Sequence, residues 1–231
     1  ASAYNPDDDG FSASSADAKL TARFNREHTV SLSVLRSDTD YQFDATPSPN
    51  PLGLTRLTTD ARSRINLGHA SFKWDAQWLP QWHSALSIGT SDEQSAGDYY
   101  RISDGAWGGN TRFNTSRRQT TWQNDIMLDK DVLSIVLENR TEQVDSSTAY
   151  TVTSRDVRSA LASYALNRPL WNALLVARND DNSQFGSFNN WAVSGGYRIT
   201  DTVRAVASVG SSFQAPSFNQ LYFPNFGNKA L

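Results

Sequence analysis

Alternating hydrophobicity, with connections that are short and long in turn, most constrains what this chain can fold into. Residues 19–24 reach residues 29–34 across only four residues, and residues 65–74 lead quickly into residues 82–90. Every second residue in these stretches is apolar, which predicts strands with one apolar face. Polar stretches separate the pairs and cover residues 37–60 and 91–114. Short turns at one end of the strands and long loops at the other are typical of transmembrane β-barrels.

Composition permits a barrel and excludes several other classes of protein. The 231 residues are 38% hydrophobic and contain no apolar run long enough for a transmembrane helix, whereas a barrel strand needs only alternate apolar residues. The absence of cysteine excludes thiol catalysis, zinc–thiolate sites and a disulfide framework. The net charge of −3 gives no indication of a nucleic-acid partner.

The pattern predicts an all-β fold of about ten strands without a helix, forming part of an antiparallel transmembrane β-barrel. A lipid-facing surface is expected to be shared by Trp191, Val193, Tyr197, Val203, Ala205 and Val209. An interfacial girdle on the short-turn side is expected from Trp74, Trp78, Trp82 and Trp171. The alternative is a soluble β-sandwich with these aromatics in its core. Against it, ten long strands in an open sheet would leave two unpaired edges.

Two segments near the C-terminus carry a more specific signal. Residues 211–222 read SSFQAPSFNQLY and residues 227–231 read GNKAL. Pro216 cannot donate to a strand ladder, so it is expected to end a strand and turn the chain into an extracellular loop. Residues 177–186 read ARNDDNSQFG, a second passage from strand to loop. Together these segments resemble the corresponding ones of TonB-dependent outer-membrane receptors.

That resemblance implies a 22-stranded barrel around an N-terminal plug. Residues 1–231 are then one domain, the central part of the barrel, with about ten strands and with the plug and the TonB-contacting part outside it. The implied function is active transport of a large, scarce nutrient across the outer membrane of a Gram-negative bacterium, energised by TonB and without enzymatic activity. Residues 177–186 look most like cobalamin-transporting members, so the expected partners are cobalamin, TonB and outer-membrane lipid. A siderophore receptor of the same family is the alternative.

An acidic cluster near the N-terminus is the candidate metal site. Asp7 and Asp9 precede Gly10, an oxygen-rich arrangement that suits Ca²⁺, although the spacing is not that of an EF-hand. The alternative is a solvated acidic turn. The resemblance adds Asp44 on the next loop as a third expected ligand. Phe43 stands where the family pattern has an oxygen-bearing tyrosine, so a single calcium ion is the most that this pattern predicts.

Catalytic alternatives have weaker support in the sequence. His28, His69 and His83 are dispersed, and no HExxH motif accompanies them. Asp180 and Asp181 could serve as paired carboxylates in a barrel hydrolase, but no G-x-S-x-G elbow accompanies them. The sequence therefore predicts no catalytic residues.

Overall fold

The computed structural model describes residues 8–45 and 59–231. These residues form a single antiparallel sheet of ten strands in which each strand pairs with its neighbours in sequence. The predicted all-β fold and strand number are thus confirmed. The strands are β1 (Phe11–Arg23), β2 (His28–Ala45), β3 (Thr59–Leu79), β4 (Trp82–Arg101), β5 (Trp107–Leu128), β6 (Asp131–Ser146), β7 (Ser154–Asn167), β8 (Trp171–Asn182), β9 (Gly186–Arg198) and β10 (Arg204–Gly210).

Tight connections gather at one end of the sheet, as the sequence predicts. They comprise residues 24–27, 80–81, 129–130, 168–170 and 199–203. At the opposite end, residues 183–185 join β8 to β9 in an equally short connection, so the expected long loop is absent there. Two of the tight connections show a clear local cause. Asn25 Oδ1 accepts hydrogen bonds from the backbone N–H groups of Glu27 at 2.9 Å and His28 at 2.7 Å, which closes the first turn. In the β5–β6 turn Asp129 adopts φ 58°, a left-handed conformation that Asp tolerates better than most residues.

The prediction of a long loop at residues 91–114 is wrong. β4 continues to Arg101 and β5 begins at Trp107, so only residues 102–106 connect them. The stretch lacks apolar alternation because both of its faces are polar, yet its backbone groups still pair in register, for example Gln94 with Asn114. Within the polar stretch at 37–60, which is also predicted to be a long loop, β2 runs to Ala45 and β3 starts at Thr59. Residues 46–58 lie outside the described part.

One face of the sheet, called here the outer face, is apolar near the tight turns. Each strand contributes to it, for example through Leu20, Leu32, Phe72, Ile88, Trp122, Leu137, Ala162, Leu175, Val193 and Ala207. Val193 pairs with Val209 and Tyr197 with Ala205, which confirms their predicted common face. On β3 the apolar residues extend from Trp78 to Ala70, roughly 21 Å along a barrel axis at a 40° tilt, close to the thickness of a barrel's lipid band.

The opposite, inner face is polar, as a water-filled lumen requires. Its residues include Lys19, Ser33, Ser71, Ser87, Gln119, Glu138, Ser159, Arg178, Asn190 and Ser208. The predicted tryptophan girdle lies on the outer face at the tight-turn end. There Trp74 and Trp78 pack edge to face with ring centroids 5.6 Å apart, and Trp78 reaches Trp82 at 6.3 Å.

A short helix, α1 (Phe218–Tyr222), follows the last strand and corrects the prediction that the chain has no helix. Ser217 caps it by accepting from Gln220 N, while the Gln220 side chain accepts from Ser217 N, a reciprocal capping box. Pro216 does not end β10, which stops at Gly210; it precedes the helix cap instead. No helix among the described residues is long and apolar enough to cross a membrane.

Candidate functional site

The sheet is called here the wall, and its end opposite the tight turns is called the loop end. The loop end carries a group of charged side chains on the inner face. Arg155 on β7 donates from Nε at 2.9 Å and from Nη2 at 2.5 Å to Glu142 Oε2 on β6. Arg117 lies 3.0 Å and Arg140 3.4 Å from Glu142 Oε1. The Arg155 and Glu142 side chains are only 9% and 12% exposed, so this is a buried ion pair with two further cations beside it.

A second set of inner-face charges includes Arg178 and Asp180 on β8 and Glu138 on β6. Arg178 Nη2 lies 2.8 Å from Asp180 Oδ1 and 3.5 Å from Glu138 Oε1. Ser159 donates to Asp180 at 2.5 Å and Gln119 donates to Glu138 at 2.8 Å. Together the two sets form the inner charge network, whose members are Arg117, Gln119, Glu138, Arg140, Glu142, Arg155, Ser159, Arg178 and Asp180. Arg117, Arg155 and Arg178 pair with carboxylates on other strands, whereas Arg140 pairs with Glu142 on its own strand, β6. The cross-strand pairs hold the side chains in a polar, rigid wall.

The segment after β10 folds back over this network. Arg155 donates from Nη1 to the Pro216 carbonyl at 2.9 Å, and its guanidinium lies 5.0 Å from the centre of the Phe218 ring. Phe218 and Leu221 of α1 are buried. Tyr150 donates to Asn219 Oδ1 at 2.6 Å, and burial raises the pKa of its phenol, which keeps that donor proton in place. The chain therefore leaves the wall toward the inner face.

Four aromatic side chains, two of them in this segment, form what we call the mouth cluster: Phe113, Tyr150, Phe223 and Phe226. Tyr150 lies 5.9 Å from Phe113 and 6.4 Å from Phe223, and Phe223 lies 6.0 Å from Phe226. The Phe226 side chain is 74% exposed, so the cluster is open on one side. Such an exposed aromatic surface beside fixed charges suits contact with a large ligand that is partly apolar.

The predicted metal ligands are only partly described. Asp7 lies outside the described residues, Asp9 is exposed in the segment before β1, and Asp44 lies on β2 opposite Asp60. The β1–β2 hairpin brings the two segments to the same end, since Gln42 N donates to the Gly10 carbonyl at 2.9 Å. Within residues 8–45 and 59–231 no group of three His, Cys, Asp or Glu side chains could hold a metal ion. Because Asp7 falls outside, the calcium site stays a prediction.

The catalytic alternatives have no support in the described geometry. Asp180 faces the inner network, whereas Asp181 pairs with Ser187 and Arg158 on the outer face, so the two carboxylates point apart. His83 lies on the inner face, 3.4 Å from Asp75 and 3.7 Å from Asp125, and among the described residues no serine or threonine hydroxyl is hydrogen-bonded to it. Sequence reasoning missed Glu142 and Arg155, whose pairing depends on strand register, and Tyr150, which lies in the β6–β7 connection and meets Asn219 of α1.

Comparison with known families agrees with this geometry. The model of the TonB-dependent receptor-like β-barrel matches residues 1–231. The chain belongs to the TonB-dependent receptor family. Members of this family are proteins of the Gram-negative outer membrane, which places the apolar outer face of the wall in lipid.

Curated relatives are vitamin B12 transporters. The chain is 25% identical to BtuB of Photobacterium profundum over 234 residues, covering 99% of this chain and 35% of that protein. It is 35% identical to BtuB of Vibrio vulnificus over 94 residues, covering 41% of this chain and 15% of that protein. The chain thus spans about a third of the length of the first of these relatives.

Solved receptor structures share the fold. A ferric enterobactin receptor (PfeA) mutant of Pseudomonas aeruginosa superposes with a TM-score of 0.73 at 14% identity, covering 92% of this chain and 34% of that one. The siderophore receptor PirA of Acinetobacter baumannii gives 0.70 at 14% identity, covering 93% and 35%. The ten strands therefore have the fold of about a third of each of these chains.

Proposed function

We propose that this chain is the central wall of an outer-membrane receptor that imports cobalamin with energy supplied through TonB. The observation that carries the proposal is the alignment with a vitamin B12 transporter over 99% of the chain. The shorter, closer alignment with a second B12 transporter supports the same proposal.

The mouth cluster and the inner charge network provide the ligand-facing parts of the proposal. Cobalamin is large, with apolar edges and many amide groups, and aromatic side chains can stack against the former. Phe226 and Phe223 lie at the open side of the cluster, where such a ligand would arrive. The paired charges below them provide a polar lining without an unpaired charge that would have to be desolvated.

The test is uptake of labelled cyanocobalamin by cells that lack their own B12 receptor and carry the full-length gene. We expect uptake that disappears when TonB is deleted. Uptake of a ferric siderophore, with none of cyanocobalamin, would instead assign the receptor to iron.

The ligand contact can be tested separately with the full-length receptor. Phe226→Ala should weaken cyanocobalamin binding about tenfold, since a buried aromatic contact contributes on the order of 1–2 kcal/mol. Phe24→Ala is the matched control, because Phe24 is 72% exposed but lies at the tight-turn end. Equal affinity of both variants would remove the mouth cluster from the ligand site.

Calcium binding by Asp7, Asp9 and Asp44 forms part of the same proposal. The hairpin pairing of β1 and β2 supports it by holding the segments of Asp9 and Asp44 at one end of the wall. Carboxylates gathered there repel one another, and Ca²⁺ would offset that repulsion. Cyanocobalamin affinity should fall when a chelator replaces calcium, and Asp9→Asn should abolish that dependence. Affinity indifferent to calcium would rule the site out.

A further inference from the structure

Two aromatic side chains lie together on the outer face, far above its apolar band. Tyr100 is near the end of β4 and pairs with Trp107, the first residue of β5, so the two side chains share a face. Trp107 is 63% exposed. Tyr100 lies eighteen residues from the start of β4, roughly 45 Å above the tight turns along the barrel axis, whereas the lipid band of a barrel is about 25 Å tall. Both rings therefore lie outside the lipid, and an exposed aromatic surface there indicates another partner.

A depression of about 470 Å³ adjoins the Tyr100 ring on the same face. It is as large as many small-molecule sites, which span roughly 300–1,000 Å³. Gly10, Ser12 and Ala96 contribute little side-chain bulk there, whereas longer side chains stand around them: Asp40, Gln42, Arg62, Arg64, Asp98 and Tyr100. Arg64 pairs with Asp40 at 2.9 Å, and the remaining charges are one arginine and one aspartate. The lining therefore has no net charge, which favours a neutral ligand.

The polar groups of the depression are held apart from one another. Arg62 and Asp98 lie opposite each other in the ladder, yet the Arg62 guanidinium lies over the Tyr100 ring, 5.3 Å from its centre. Asp98 is half-buried, and among the described residues neither it nor Arg62 forms an ion pair. Gln42 Oε1 accepts from Gly10 N at 2.9 Å, which leaves the amide N–H groups of Gln42 for a ligand. The depression thus offers a carboxylate acceptor and two sets of donors, each at a different place around an aromatic ring.

We propose that this depression, together with Trp107, binds a neutral oligosaccharide. The Trp107 ring packs against the C–H face of one pyranose unit, and the depression takes the next unit. There Asp98 accepts hydroxyl protons, while Arg62 and Gln42 donate to hydroxyl oxygens. A protein partner would need a larger apolar core than two rings provide. The site faces away from the lumen, so its function is separate from cobalamin import. Polysaccharide of the cell's own surface and free glycans of the surroundings both have this chemistry.

The test is saturation-transfer NMR with the full-length receptor in lauryldimethylamine oxide, a detergent that carries no sugar. The neutral probes are maltopentaose, chitopentaose and the neutral polysaccharide fraction released from the surface of the producing cell; pentagalacturonate is the anionic probe. We expect transfer to at least one neutral probe and less to pentagalacturonate. Stronger transfer to the released polysaccharide than to the two free glycans supports the site with the cell's own surface as the source, and the reverse order supports it with the surroundings as the source. No transfer to any neutral probe, or the strongest transfer to pentagalacturonate, would overturn the proposal.

Substitutions then locate the binding on the outer face. Trp107→Ala should weaken binding of the best neutral probe about tenfold, and Asp98→Ala about fivefold. Trp78→Ala is the control for the first, because Trp78 is 47% exposed on the same face at the tight-turn end. Asp92→Ala is the control for the second, because Asp92 lies on the same strand and face as Asp98, six residues nearer the membrane. Both controls should change binding less than twofold, and circular dichroism checks that all four variants fold. Unchanged binding in Trp107→Ala or Asp98→Ala, or an equal loss in its control, would contradict the site.

Discussion

Removing Arg155 is the sharpest test of the loop end of the wall, because this one side chain makes three kinds of contact. It pairs with Glu142, donates to the Pro216 carbonyl and covers the Phe218 ring. Arg155→Ala would take all three away at once. The variant should destabilise the receptor and release the segment after β10 from the inner face.

The size of the effect follows from the individual contacts. Losing one partner of a buried ion pair costs about 3–5 kcal/mol, but Arg117 and Arg140 remain within 3.4 Å of Glu142, so about 2 kcal/mol is expected. The hydrogen bond to Pro216 adds about 1 kcal/mol and the ring contact about 0.5 kcal/mol. The free energy of unfolding should therefore fall by about 3–4 kcal/mol.

Equilibrium unfolding in urea, with the full-length receptor in detergent, measures this loss. Arg112→Ala is the comparison, since its pair with Asp145 is exposed at 56% and 66% and should contribute less than about 0.5 kcal/mol. An Arg155→Ala receptor as stable as Arg112→Ala would refute the buried network.

Two further predictions concern the membrane part of the wall. Spin labels at Val193 and Ala205 should be accessible to oxygen in bilayers and labels at Ser194 and Val206 should not, because the pairs lie on opposite faces; equal accessibility would contradict the alternation. Asp131→Ala should cost about 2–3 kcal/mol in urea unfolding, because its carboxylate accepts from Asn167 N at 3.0 Å, from Tyr164 at 3.1 Å and from Arg168. Asp129→Asn in the same turn keeps a residue that tolerates φ 58° and should change stability little; similar losses in both would show that the turn, not the Asp131 contacts, matters.

The sequence predicted the membrane part of the fold well because lipid on one face and water on the other impose alternation. Leu32 and Phe72 on neighbouring strands are each flanked by polar residues, and this contrast is visible without a structure. Above the lipid band both faces meet water. The contrast disappears there, and residues 91–114 read as a loop although most of them pair.

The site was harder to predict for two physical reasons. Glu142 and Arg155 meet only because the β6–β7 register places them opposite each other, and that register depends on a seven-residue connection with no distinctive turn signal. Helix α1 has five residues, too few to show a helical period. Its capping box, Ser217 and Gln220, was present in the sequence and could have indicated a helix start.

The length of the central strands decides which part of the receptor the cell presents to its surroundings. A membrane-spanning barrel strand needs about 9–11 residues, whereas β3, β4 and β5 have 21, 20 and 22. About half of each strand therefore stands clear of the lipid as a hydrogen-bonded rim roughly 25 Å tall. Phages and antibodies approaching the cell would meet this rim first, and surface variation that evades them can accumulate on its polar outer side without disturbing the lipid-facing band.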